Sequence, residues 1–282
     1  GWSDLTCQQA LNARTMARIA HEIGDAAAAE WYTGEHRQIV EAVNTFMWDE
    51  SDGFFWDVDA AGQYTKAKTV AAFWALLGDA ASPAQATRLV EHLKNPDSFW
   101  RRHPFPTLAA DHPMYQPHGD YWRGAVWAPT NYMIIKGLRQ AGYGDFAREA
   151  SLRHIEAIQR VYKTTGTVWE NYRADEDAPG IPARPDFVGW TGCGPIALLL
   201  EEVIGITVDA SSGTVRWDLH EQGPHGVAQL PFGSSTVDLE IDGGDMVTVR
   251  ADHPLTLVIE GPRGSGRWEI EAGQHALHIG AH

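Results

Sequence analysis

Cysteine is scarce: the 282-residue chain has two, Cys7 and Cys193, far apart and without metal-ligand spacing. Nothing in their number resembles a disulfide scaffold, although a bridge is neither required nor excluded. Positive charge is also short. Twenty-two Lys and Arg face 37 Asp and Glu, a formal net charge of −15, which argues against nucleic acid or an anionic membrane as a partner. No apolar run reaches the length of a membrane span. The first residues, GWSDLTCQQALNARTMARIA, lack a basic stretch followed by an apolar core, so no signal peptide is read there and a cytoplasmic location is expected. The thirteen histidines carry no HExxH or paired-Cys pattern, and neither a metal nor a cofactor is expected.

Tryptophan, by contrast, is plentiful. Ten of the twelve precede residue 206, so the aromatic investment lies in the first part of the chain. The densest stretch is Thr164–Trp190, TTGTVWENYRADEDAPGIPARPDFVGW, between two segments of helical periodicity. A long loop without an element of its own is functional or disordered, and disordered segments are poor in aromatics. Here Glu170 follows Trp169 and precedes Tyr172, an arrangement suited to holding a carboxylate beside a sugar ring. The same aromatics could equally anchor the loop to the core, with Glu170 a solvated charge.

Along the chain, Asp4 is a candidate N-cap for a helix to about Ile23, and Gly24-Asp25 restarts a second helix through Met47, with Gly34 in its middle. MWDESDGFFWDVDAAGQY has the pattern of a hairpin. Helical periodicity returns in KAKTVAAFWALLGD, and Ser82-Pro83 marks a further helix start. Residues 96–121 form a proline- and histidine-rich excursion. A helix pair broken at Gly142–Gly144 precedes the Glu170 loop, and CGPIALLLEEVIG closes the helical part, giving about seven helices. After Gly205 the period changes to short β-rich runs separated by SSG, DGG, HP and GPRGSG, the pattern of an antiparallel sandwich or barrel. The expected organisation is a mainly α domain, 1–205, and a β-sandwich domain, 206–282. The β part has sparse aromatics and no basic patch, so it is either a packing domain or a carbohydrate-binding one.

Three segments carry a resemblance: WDESDGFFWDVD; YWRGAVWAPTNYMIIKGLRQAGY at Tyr121–Tyr143; and TGTVWENY followed by DFVGWTG. Their order and spacing resemble glycoside hydrolase family 63 and its trehalase-like and mannosylglycerate-hydrolase-like relatives. The resemblance covers most of residues 4–205 and looks like the C-terminal half of an (α/α)6-barrel glycosidase, a partial toroid. It implies inverting hydrolysis of an α-glucoside or related α-glycoside by two carboxylates roughly 6.5–9.5 Å apart. Glu170 matches the general base, with Asn131, Tyr132 and Tyr172 as its candidate supports. Tyr121, Trp122, Arg123, Trp127, Trp169, Phe187 and Trp190 would line the sugar site, since aromatic faces suit the CH-rich face of a pyranose and Arg gives paired hydrogen bonds.

The family's general acid is an aspartate in an SGWD-like motif. Gly1-Trp2-Ser3-Asp4 is superficially similar, but its spacing makes Asp4 a helix cap. The acid is therefore expected on an N-terminal segment, unless Asp111 or Asp120 has taken its role. Three readings follow: a glycosidase complete with an N-terminal portion, a non-catalytic sugar-binding remnant, or a helical scaffold whose aromatic loops bind a protein. The expected partners are an oligosaccharide or small glycoside and, because an open helical arc leaves an apolar surface, a second copy or an N-terminal fragment.

Overall fold

The computed structural model describes residues 1–280. The chain divides into two compact units, Gly1–Pro195 and Ile196–His282. The first contains α1 (Ser3–Glu22) and α2 (Ala26–Phe46), which pack as a helical pair. Asp25 caps α2 by accepting the Ala28 amide at 3.0 Å, and Gly34 does not break it. The cap expected of Asp4 is not there. Asp4 lies in the first turn of α1, Trp2 is the N-cap residue, and no side chain caps the helix; a carboxylate in the first turn still suits the positive end of the helix dipole. Cys7 is fully buried on α1, and burial pushes its thiol up to about 12.

The expected hairpin is short, β1 (Trp48–Asp49) pairing antiparallel with β2 (Phe54–Phe55). KAKTVAAFWALLGD forms a 3-10 turn, Val70–Phe73, running into α3 (Trp74–Leu77). α4 (Pro83–Lys94) begins at a capping box, Ser82 and Gln85 exchanging side-chain-to-backbone hydrogen bonds. After the long excursion come α5 (Ala128–Gln140) and α6 (Gly144–Thr165), the latter closed by Gly166 in the left-handed region. α7 (Gly189–Leu198) continues as a π-helical turn, Leu199–Ile204.

The second unit therefore starts inside the last helix and not at Gly205, because Leu200 and Ile204 pack against the β core. Its strands are β3 (Ile206–Asp209), β4 (Thr214–Asp218), β5 (His225–Phe232), β6 (Ser235–Ile241), β7 (Met246–Ala251), β8 (Leu255–Glu260), β9 (Gly266–Ile270) and β10 (Gly273–His278). They form two four-stranded sheets, ordered β10-β7-β6-β5 and β3-β4-β8-β9. One pairing departs from the antiparallel expectation: β4 and β8 run parallel. Alternating residues from both sheets, among them Trp217, Leu239, Val249 and Leu257, share one buried apolar cluster. Strand β5 has no counterpart among the β-rich runs of the sequence, falling between TVRWDL and STVDLEI. Gly226, Gln229 and Pro231 interrupt its alternation, and its register with β6 shifts between Val227 and Leu230.

Candidate active site

The Glu170 loop does have internal structure. Outgoing residues pair with returning ones: the Phe187 amide donates to the Val168 carbonyl and the Glu170 amide to the Arg184 carbonyl, at 3.1 and 2.9 Å. Beyond Glu170 the chain forms a second small ladder. Arg173 N–H reaches the Ala178 carbonyl, Gly180 N–H the Asn171 carbonyl, and Tyr172 exchanges both backbone bonds with Val126. Glu170 sits where the two ladders meet. The loop tip is held by charge. Asp175 accepts from Arg101 at 2.7 Å and from the Tyr115 hydroxyl at 2.9 Å, and Asp177 is shared by Arg102 and Arg160. This clamp was missed in the sequence, although Arg101-Arg102 and Asp175-Glu176-Asp177 were the signal for it.

Glu170 is only 7% exposed. One carboxylate oxygen accepts from the Tyr121 hydroxyl at 3.1 Å, and its backbone carbonyl accepts from Trp190 Nε1 at 3.2 Å. Burial, and then the neighbouring carboxylate, push the Tyr121 hydroxyl above its ordinary pKa, so it remains a donor. Tyr121 has a left-handed backbone, φ 63°, following Gly119 at 100° and Asp120 at 37°. Such a conformation in a bulky residue persists only where its surroundings impose it. Here Trp127 supplies the constraint. Its Nε1 donates to the Tyr121 carbonyl at 3.1 Å, and the two rings meet edge to face at 4.7 Å.

Trp127 is also the floor of the site. Trp122 stacks on it, centroids 4.4 Å apart and planes 7° from parallel, and Trp190 leans against it at 5.9 Å. Trp122 is 55% exposed and Trp190 39%. Phe187 packs on Trp190 at 4.6 Å. Tyr121, Trp122, Phe187 and Trp190, packed about the buried Trp127, thus form an aromatic surface beside the Glu170 carboxylate, an apolar body with a polar atom at its edge.

The other residues expected at the site are placed differently. Tyr172, 1% exposed, packs on Ile158 and Val161, and its hydroxyl accepts the Trp169 amide at 3.0 Å. It braces the loop from beneath. Asn131 is fully buried on the inner face of α5 with Ile134, Ile135 and Leu138, so it too is a core residue. Trp169 is half-buried on the same cluster as Tyr172 and donates to Thr165 Oγ1, an anchor for the loop. Arg123 is paired with Asp120. Of the candidate acids, Asp120 is thus engaged by Arg123, Asp111 by Lys68 and Ser98, and Asp4 by the Leu5 amide.

Asn131 has a role of its own. Its amide donates to the Pro104 carbonyl at 3.0 Å and faces His154 Nδ1 at 2.8 Å, and His103 Nε2 stands 2.8 Å from the same nitrogen. Burial pushes His154 down to about 3 and His103 well below its usual value. Both rings are neutral in the fold, whereas the unfolded chain binds protons from about pH 6.5 downward. Stability is therefore greatest above about pH 6.5 and falls as pH drops through the window towards 3, at most about 1.4 kcal/mol per pH unit for each histidine. Urea midpoints measured between pH 7 and 4.5 should fall steadily. A flat profile across that range would show that the pair accepts protons without cost.

The profile of a family described as the mannosylglycerate hydrolase MGH1-like glycoside hydrolase domain matches residues 4–192. The chain belongs to this family. One relative carries the likeness beyond these residues. An uncharacterized protein of Borreliella burgdorferi is 25% identical over 98% of this chain and 56% of its own length. A mannosylglycerate hydrolase of Rubrobacter radiotolerans is 28% identical over 68% of this chain and 41% of its own. The chain thus spans about half the length of these two relatives. Among solved structures, a GH63 mannosylglycerate hydrolase of Thermus thermophilus in complex with glucose superposes with a TM-score of 0.58 at 21% identity, over 70% of this chain and 44% of that one, a likeness of fold. This MGH1-like chain has no helix, among the described residues, long and apolar enough to cross a membrane.

Proposed function

We propose that this MGH1-like chain forms part of an inverting glycosidase that hydrolyses an α-glucoside or a related α-glycoside, with Glu170 as the general base. The observation that carries the reading is the buried Glu170 carboxylate, held by the Tyr121 hydroxyl at 3.1 Å beside the exposed faces of Trp122 and Trp190. A general base needs a fixed carboxylate with one oxygen free for water. Tyr121 occupies one oxygen and orients the other. The aromatic surface would take the apolar face of the sugar, and the base would activate water on the side of the ring opposite the leaving group.

The proton donor is assigned, as the family resemblance implies, to an N-terminal segment; Asp111 and Asp120 are each held by a cation. The helices are read as part of an (α/α)6 toroid and the second unit as a sandwich. Leu5, Ile19, Trp31 and Phe46 are exposed on α1 and α2, as is Ile23 at the end of α1, a surface suited to covering by further helices or a second copy. The engaged aspartates also favour a second reading, a sugar-binding remnant without turnover.

Two measurements decide between these readings. Proton NMR of the first-formed product of the complete protein should show the anomer opposite to the substrate's; retention would refute the mechanism, and absence of product with sugar still bound would favour the remnant. Trp190→Ala should weaken sugar binding, because it removes apolar contact and no proton-transfer group.

A further inference from the structure

The outer face of the β10-β7-β6-β5 sheet is concave. Its cavity of about 540 Å³ is within the size range of small-molecule sites. The floor is low because β5 contributes almost no side chain there. Gly226 lies against β6 so closely that a Cβ would stand 2.0 Å from the Leu239 carbonyl oxygen, and Ala228 is the next outward residue. The bulge that follows is pinned by the Gln229 amide donating to Asp238 Oδ1 at 2.6 Å.

Strand register sets polar groups on the wall in rows. Asp238, Arg250 and Gln274 face one another across β6, β7 and β10, and Glu240 faces Thr248 in the adjacent row. Neighbouring strands lie about 4.8 Å apart and successive outward residues about 7 Å apart, the scale of one sugar ring. The side chains of Glu240, Thr248 and Gln274 line this cavity with Arg250, whose charge is also felt by Asp252. Acceptors and donors therefore alternate across a shaped surface. A hydroxyl group both gives and accepts a hydrogen bond, so a polyhydroxylated ligand can satisfy both kinds. An anion would meet Asp238 and Glu240, and a cation would meet Arg250.

We propose that this groove is a second binding site, independent of Glu170, for a neutral sugar unit. It goes beyond the proposed hydrolysis and does not depend on it. The test is a titration of the full ¹⁵N-labelled chain with maltose and with methyl α-D-mannopyranoside, following backbone amide shifts. At least one sugar should move the amides of residues 226–228, 238–240 and 248–250. Arg250→Ala should weaken that response about tenfold, the worth of a hydrogen bond to a charged group. Ala228→Trp, which fills the groove from an exposed position, should remove it with the melting temperature unchanged. Shifts near Glu170 and Trp190 report the other site and should survive both substitutions, while Trp190→Ala should remove only those. No response in the three strands to either sugar, a response indifferent to both substitutions, or a stronger response to inorganic phosphate would each overturn the proposal.

Discussion

Glu170→Gln in the complete protein is expected to lower kcat about 10²–10⁴-fold, roughly 3–5 kcal/mol of barrier, with KM little changed. The amide keeps the shape of the side chain and can still accept the Tyr121 hydroxyl that lies 3.1 Å from Oε1, but it cannot take a proton from water. Tyr121→Phe should have a smaller effect of the same kind, because the carboxylate loses its orienting donor while remaining a base. Steady-state rates for both variants, with binding followed by tryptophan fluorescence, separate chemistry from affinity. Near wild-type turnover in Glu170→Gln would make Glu170 a bystander and remove the central residue of the proposed mechanism.

Trp127→Ala is expected to cost about 3–5 kcal/mol of stability, the range for truncating a buried aromatic, and to lose sugar binding as well. Trp127 is 2% exposed, underlies the Trp122 stack, holds the Tyr121 carbonyl and touches Trp190. Its loss leaves a cavity beneath the site and releases the left-handed backbone of Tyr121. Trp122→Ala provides the contrast. With more than half the Trp122 surface already in water, its truncation should reduce binding while leaving the urea midpoint near that of the parent. If both tryptophans behaved alike in denaturation, the distinction between floor and wall would fail.

Which of these features could be read from residues alone depends on the range of the interaction. Ser82-Pro83 with Gln85, and Asp25 at the start of α2, are local devices, and both helices begin where those residues stand. The change of period after Gly205 announced the β strands, but the unit begins earlier because two side chains on the final helical turns belong to the β core. Strand β5 escaped because its outward positions are small or bulged, so no alternation is visible. The parallel β4–β8 pairing is a long-range choice that leaves no mark in either strand.

At the site, the cluster of aromatics about Glu170 was visible as composition, whereas the depth of each ring was not. Trp122 and Trp127 stand five positions apart in one motif, yet one is exposed and the other is beneath it. Tyr172 and Asn131 are expected beside Glu170 by their nearness in sequence or motif. A tyrosine hydroxyl is satisfied as well by a backbone amide as by a ligand, and α5 turns Asn131 toward the core.

The two cysteines have a practical use. Thiol reagents attack the thiolate, and the Cys7 thiol, buried and pushed up to about 12, offers almost none at neutral pH. Cys193 is exposed on α7, one helical turn beyond Trp190. A maleimide dye or spin label would therefore attach at one position without any cysteine being engineered away. It would sit next to the aromatic surface, where arrival of a sugar at Trp190 changes its surroundings.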